Sequence, residues 1–380
     1  MLIDRKKLTA LVWTLLALGI WSVAAMLWVF QSALEARIVA GESIKDMSFS
    51  PDGTRLATAN NKEAAFLWNL ERSELPTVLS FRRFIPEAVR FSADGTRMVS
   101  SARSTTSGPH QPVRIDVWKT GTRTPEQTIE IPGGVIDEVA FADSSTVVGV
   151  LKDRLVMVDL QSNQVVDQLP LPNQIMTRLG RTPSGDFLVY GGSDRRASVW
   201  DSSKRAVIFD QPDTMVSIRD IDLSTDGRYL AACGRAPGDV GRLSVWNLAD
   251  GKELGVPPGV PVLGCVRIVP DGSAVVASHG QGRFIIWRFN AGYLTFDQEL
   301  AADGRVERMA FAPDGRRLAI ATSTSLSIWE FPSGKQLQVL VDPLKLYSLR
   351  RIVRWGKISL FLLGTAILGW TFRHRLRIGT

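Results

Sequence analysis

Five carboxylates recur in one local setting, an Asp followed by Gly, at Asp52, Asp94, Asp226, Asp271 and Asp314. Carboxylates can ligate metals or act as general acids and bases, so their spacing decides what they do. Neighbouring copies stand at least 42 residues apart, one per repeated segment, which places each in its own structural unit. Asp-Gly supplies the positive φ of a tight turn, and these five read as turn residues. Six tryptophans, Trp68, Trp118, Trp200, Trp246, Trp287 and Trp329, recur in the same regular way. One per unit at a similar offset is a packing role and not a ligand cage. The chain has three His and two Cys, Cys233 and Cys265, with no Cys-x-x-Cys. The cysteines fall in neighbouring copies and read as buried thiols. No Gly-rich phosphate loop precedes a helical pattern. No catalytic residue, metal site or cofactor is expected, and the chain is not read as an enzyme.

The units that position these residues repeat seven times. Turn glycines at Gly53, Gly95, Gly185, Gly227, Gly272 and Gly315, with Ser145 in a degenerate third copy, give steps of 42, 50, 40, 42, 45 and 43 residues. Val158 takes the Trp position in that third copy. Each copy has period-two segments broken by turns, the pattern of strands with a buried face. The expectation is all-β: seven four-stranded antiparallel sheets arranged radially, so that each apolar face is buried by a neighbour. The segment 35–40 also reads as a strand and competes with 335–341 to close the last sheet.

These motifs resemble the WD-repeat β-propeller family over residues 34–341. The motif is degenerate: only Trp200-Asp201 is a true Trp-Asp pair, and the family's Gly-His dipeptide is missing. The resemblance implies a seven-bladed propeller that binds partner proteins, with the links between blades and the second-to-third strand loops on the usual partner face. Two such loops are enlarged, 101–112 and 234–242. They make Ser104, His110, Arg235 and Asp239 candidate partner-binding residues. At the mouth of the central channel, one residue per first strand gives the series Asp46, Ala88, Glu138, Arg178, Asp220, Cys265, Arg308. The preceding residues are Lys45, Glu87, Asp137, Thr177, Arg219, Gly264 and Glu307. Neither series is a carboxylate ring, a His cluster or a nucleophile beside a base; the mix suits a polar surface or salt bridging.

The net charge of +7 resides in the tails. Residues 342–380 hold eight Lys/Arg against one acid, and the region between the tails is slightly acidic, so nucleic-acid binding is not expected. The stretch 8–30 is 23 residues without a charge, long enough at about 1.5 Å per residue to cross a bilayer. A second, shorter apolar run covers 358–372. Five divisions are expected: a stub and transmembrane helix (1–32), the propeller (33–341), a basic amphipathic linker (342–357), a second transmembrane helix (358–372) and a basic tail (373–380). Arg350, Arg351, Arg354, Trp355, Lys357 and Trp370 are the expected membrane-interface residues. Arg5, Lys6 and Lys7 ahead of the first span favour an inner membrane of a bacterium with the propeller on the periplasmic side. The basic linker argues for the cytoplasmic side instead.

The function expected is a membrane-anchored interaction scaffold, an accessory subunit of a larger membrane complex such as a respiratory or photosynthetic assembly. Its partners would be other membrane subunits and the lipid bilayer. A transient sensor or assembly factor is the alternative, and an enzyme with a site at the channel mouth a third. In the first span Trp13, Trp21 and Trp28 fall on one side of a helix, and Trp21 near mid-membrane needs a partner for its indole N–H. Replacing all three by Leu should release the protein from its complex, seen as loss of co-purifying subunits, while the propeller's thermal transition stays in place.

Overall fold

The computed structural model describes residues 43–341 except 61–62, 73, 107–110, 133, 152–153, 171–176, 182–186, 194–195, 202, 213–214, 239, 255–260, 262, 281, 291 and 324. Both apolar runs, the basic linker and the 35–40 segment lie outside the described residues. Among those described, no helix is long and apolar enough to cross a membrane.

Seven antiparallel sheets follow one another along the chain, each with its strands in sequential order. Their first strands are Ile44–Phe49, Phe84–Phe91, Ile136–Phe141, Thr177–Arg181, Ser217–Leu223, Leu263–Ile268 and Val306–Phe311. Six sheets have four strands, as the repeat implies. In the fifth, three strands lie among the described residues, with a bridge between Trp246 and Glu253 just ahead of the undescribed 255–260. The chain there runs into Pro257, Pro258 and Pro261. Proline has no N–H to give to a ladder. Lys335–Val341 is the outer strand of the seventh sheet.

The turns carry out the role assigned to the Asp-Gly pairs. The Thr54 amide donates to Asp52 Oδ1 at 2.9 Å, and the Arg55 amide donates to Ser50 Oγ at 2.9 Å. The same Ser-x-Asp-Gly module recurs at Ser92–Asp94 and Ser224–Asp226. Gly95 combines a φ of +70° with a close approach: a Cβ there would stand 3.3 Å from Pro51 Cδ of the preceding turn.

The core consists of slabs between neighbouring sheets. One slab joins Val99, Ile115 and Val117 of sheet two to Ile136, Val139 and Val147 of sheet three. Another joins Ala57, Leu67 and Leu79 of sheet one to Met98 and Trp118 of sheet two. The recurrent Trp sits in the third strand and packs across such a slab. Trp118 meets Phe81 at a tilt with ring centroids 5.4 Å apart, Trp246 meets Phe209 at a tilt at 5.7 Å, and Trp329 meets Phe284 edge-on at 5.6 Å. Each buried indole N–H needs an acceptor; Trp118 donates to Ser100 Oγ at 2.9 Å and Trp329 to Ser327 Oγ at 2.8 Å. Val158 takes the Trp place opposite Val147 in sheet three and is fully buried. Trp118→Ala should cost about 3–5 kcal/mol of stability through the cavity between sheets one and two, measurable as a drop in the denaturant midpoint.

Candidate functional site

The first strands line the centre of the ring, and six of the seven carry an irregularity at the same place. In sheets one, two, three, five and seven a single extra residue is inserted, namely Lys45, Glu87, Asp137, Arg219 and Glu307. In sheet six the shift spans Gly264 and Cys265; sheet four has no shift. A bulge re-aims one side chain and bends the strand. Here it separates two neighbouring sets of residues, the bulge residues and those that follow them.

The second set forms a chain of ion pairs. Asp46 of sheet one holds Arg90 of sheet two. Arg90 also reaches Glu138 of sheet three at 2.6 Å. Glu138 accepts from Arg178 of sheet four at 2.9 Å, and Arg178 from there reaches Asp220 of sheet five at 3.1 Å. Asp220 then holds Arg267 of sheet six at 2.6 Å. Five successive junctions are bridged in this way. Two carboxylates also take a main-chain N–H of the next sheet: Asp46 from Val89 at 2.9 Å and Asp220 from Val266 at 3.1 Å. The last two junctions use side-chain bonds to main-chain carbonyls. Cys265 Sγ donates to Glu307 O at 2.9 Å and Arg267 Nε to Met309 O at 2.9 Å. Arg308 Nε closes the ring onto Lys45 O of sheet one at 2.6 Å.

Burial is severe: the Glu138 side chain is 2% exposed and that of Asp220 4%. Burial opposes the charge of Arg90 and Arg178, but the carboxylates around them raise both pKa values above the ordinary one. Burial likewise works against the Asp220 carboxylate, and Arg267 and Arg178 outweigh it and hold its pKa low. Burial pushes the thiols of Cys233 and Cys265 up, consistent with the buried, free cysteines expected from the sequence. Asp222, whose Oδ2 accepts from the Ile268 amide at 2.8 Å, is pushed up to about 6 by its burial.

The bulge residues form the mouth. Lys45 and Glu87 pair at 2.6 Å, and Arg103 joins Glu87 from the strand that leads into the enlarged 101–112 loop. Asp137 is pushed up to about 6 by desolvation and by the carboxylates Glu87 and Glu138. The loop residue Ser104 pairs in register with Phe84, at the same end of sheet two as Glu87. Its hydroxyl lies 2.7 Å from Thr106 Oγ1, which donates to Gln111 at 2.6 Å. Arg235 pairs in register with Ser217, next to the Arg219 bulge of sheet five, and is half-buried. Both enlarged loops therefore leave from the mouth end of their sheets, but they do so in sheets two and five. His110, Asp239, Trp13, Trp21, Trp28, Arg350, Arg351, Arg354, Trp355, Lys357 and Trp370 lie outside the described residues.

Arg90 and Arg267 are the members of the ion chain that the sequence comparison missed. Each stands two residues beyond the compared position, on the same strand face. One more step of the series, Ser48, Arg90, Ala140, Gly180, Asp222, Arg267 and Ala310, would have exposed them. Among the described residues no group of three His, Cys, Asp or Glu could hold a metal ion.

Glu138→Gln should cost about 3–5 kcal/mol, because Arg90 and Arg178 then keep one carboxylate each, Asp46 and Asp220, and the buried chain is left with a positive charge in excess. The exposed pair Arg242–Glu253 provides the contrast, and Glu253→Ala should cost less than about 1 kcal/mol. Both are read from denaturant midpoints. For Asp137 and Asp222 the folded-state pKa lies above the unfolded value of about 3.9. Their contribution is fully present below that value and is lost as pH rises through about 6. Asp137→Asn should therefore flatten the fall in melting temperature between about pH 4 and 7.

No family model matches the chain. It is 30% identical over 144 residues to an uncharacterised WD repeat-containing protein of Synechocystis sp., covering 37% of this chain and 39% of that one. It is 24% identical over 257 residues to the WD repeat-containing protein WDS homolog of Arabidopsis thaliana, covering 63% and 46%. It is 33% identical over 114 residues to the protein LST8 homolog of Drosophila melanogaster, covering 28% and 34%. The matches thus span less than half the length of each of these relatives. Among solved structures, a chain of a mitotic checkpoint complex superposes with a TM-score of 0.60 at 18% identity, covering 74% of this chain and 84% of that one. The chain is thus similar in sequence to WD repeat-containing proteins, and its described blades share the fold of the solved neighbour, a β-propeller.

Proposed function

We propose that the chain is a membrane-anchored protein-interaction scaffold, an accessory subunit of a larger membrane complex that acts by binding and not by catalysis. The observation that carries the binding reading is how the channel's charged residues are used. Asp46, Glu138 and Asp220 are each committed to guanidinium groups of neighbouring sheets. Asp220 is held low by its arginines, so its carboxylate is spent on cohesion of the ring. What remains at the mouth end is a rim of loops and bulge residues on a cross-braced ring, an arrangement suited to recognition. The solved structural neighbour is described as part of a mitotic checkpoint complex, which is consistent with a propeller working inside an assembly.

The membrane reading rests on the uncharged stretch 8–30, the apolar run 358–372 and the concentration of positive charge in the tails. Two spans in the inner membrane of a bacterium, with the propeller in the periplasm, follow from Arg5, Lys6 and Lys7; the basic linker keeps the cytoplasmic side as the alternative. The transient sensor or assembly factor differs only in the lifetime of the contact.

Extraction of native membranes in mild detergent tests both parts. A stoichiometric set of co-migrating membrane proteins is expected, together with retention in the membrane after alkaline carbonate washing. Release of the chain by carbonate would overturn the anchor, and recovery of the chain alone would overturn the stable-subunit reading.

A further inference from the structure

The ion chain around the channel is incomplete on one side, and the defect has a definite shape. Between sheets one and six every guanidinium in the chain faces a carboxylate. Arg308 of sheet seven does not: its Nε and Nη1 donate only to the main-chain carbonyls of Lys45 and Glu307. The position in sheet six that corresponds to Asp46 and Asp220 is Cys265, whose thiol is already spent on Glu307 O. The bulge beside it is Gly264, which puts no side chain into the mouth. On the sheet-five side of that gap, Arg219 has no ion-pair partner among the described residues.

We propose that this gap, floored by Arg308 and edged by Arg219, binds a single carboxylate presented by a partner protein, an inference that rests on the scaffold reading above. A guanidinium with its outer N–H groups unspent matches a carboxylate in geometry and charge. Glu307, the sheet-seven bulge residue, selects against a dianion, because its own negative charge stands at the same mouth. A phosphate would meet that repulsion twice over, whereas one carboxylate is balanced by the two arginines.

The test uses the full chain in mild detergent and three probes: an acetylated and amidated peptide with one Glu among glycines, a glycine peptide with a free C-terminal carboxylate, and inorganic phosphate. One of the two peptides should bind, and which one tells whether the carboxylate comes from a side chain or a chain end. Binding should weaken at least tenfold in Arg308→Gln and in Gly264→Asp. The second variant would supply a carboxylate from within, its Cβ meeting Ser278 Oγ at 3.2 Å with the main-chain oxygens of Ser278 and Val306 at 4.0 Å. Arg219→Gln, at a bulge residue outside the ion chain, should also weaken binding while melting with the parent, which separates loss of the site from loss of the fold. Equal binding by parent and variants, binding of phosphate and neither peptide, or no binding at all would overturn the proposal. Membrane partners that still co-purify with Gly264→Asp would remove the channel as their docking point and leave the scaffold reading standing.

Discussion

A carboxylate shared between two guanidinium groups on different sheets is the interaction on which this ring depends. Glu138 lies between Arg90 and Arg178, and Asp220 between Arg178 and Arg267. Apolar slabs between sheets supply most of the free energy, but apolar burial is non-directional and tolerates a sliding neighbour. The ion chain does not tolerate it. Each guanidinium has a fixed fork of donors, so a sheet displaced along its neighbour would strand a charge nearly out of water, at a cost of several kcal/mol. The slabs bring the sheets together and the charges fix how far along one another they sit.

The bulge makes this possible at the centre of a crowded ring. Without it the first strands would alternate strictly, with one residue of each pair facing the channel and the next turned into a slab. The extra residue at Lys45, Glu87, Asp137, Arg219 and Glu307 gives each of those strands a second polar side chain at the mouth without moving the apolar residues on either side out of their slabs. Ring cohesion and surface chemistry are thus assigned to adjacent residues and separated by a backbone irregularity.

How much of this could be read from the sequence follows from what kind of signal each feature leaves. Turns and packing recur, so Asp52, Asp94 and Trp118 declared themselves by period alone. Six of the seven sheets show four strands among the described residues, as the period implied. The ion chain was half legible. Asp46, Glu138, Arg178 and Asp220 stood in the compared series, but their partners Arg90 and Arg267 come from the next inward position, and a pairing that alternates between two positions hides from a comparison of one. The bulges left a trace too, since the residues ahead of that series are the inserted ones. Nothing short of strand register distinguishes an inserted residue from an ordinary outward-facing one.

The same distinction bears on why the mouth is where this chain can differ from its relatives. A residue in the ion chain is constrained from two sides, and a change at Glu138 must be answered in both sheet two and sheet four. A bulge residue has no such obligation. Asp137 and Arg219 have no ion-pair partner among the described residues, and Glu87 is tied through Arg103 to the root of an enlarged loop. Selection for a partner can act on these positions at little cost to the ring. The ring's stability and its capacity for recognition therefore do not compete for the same side chains.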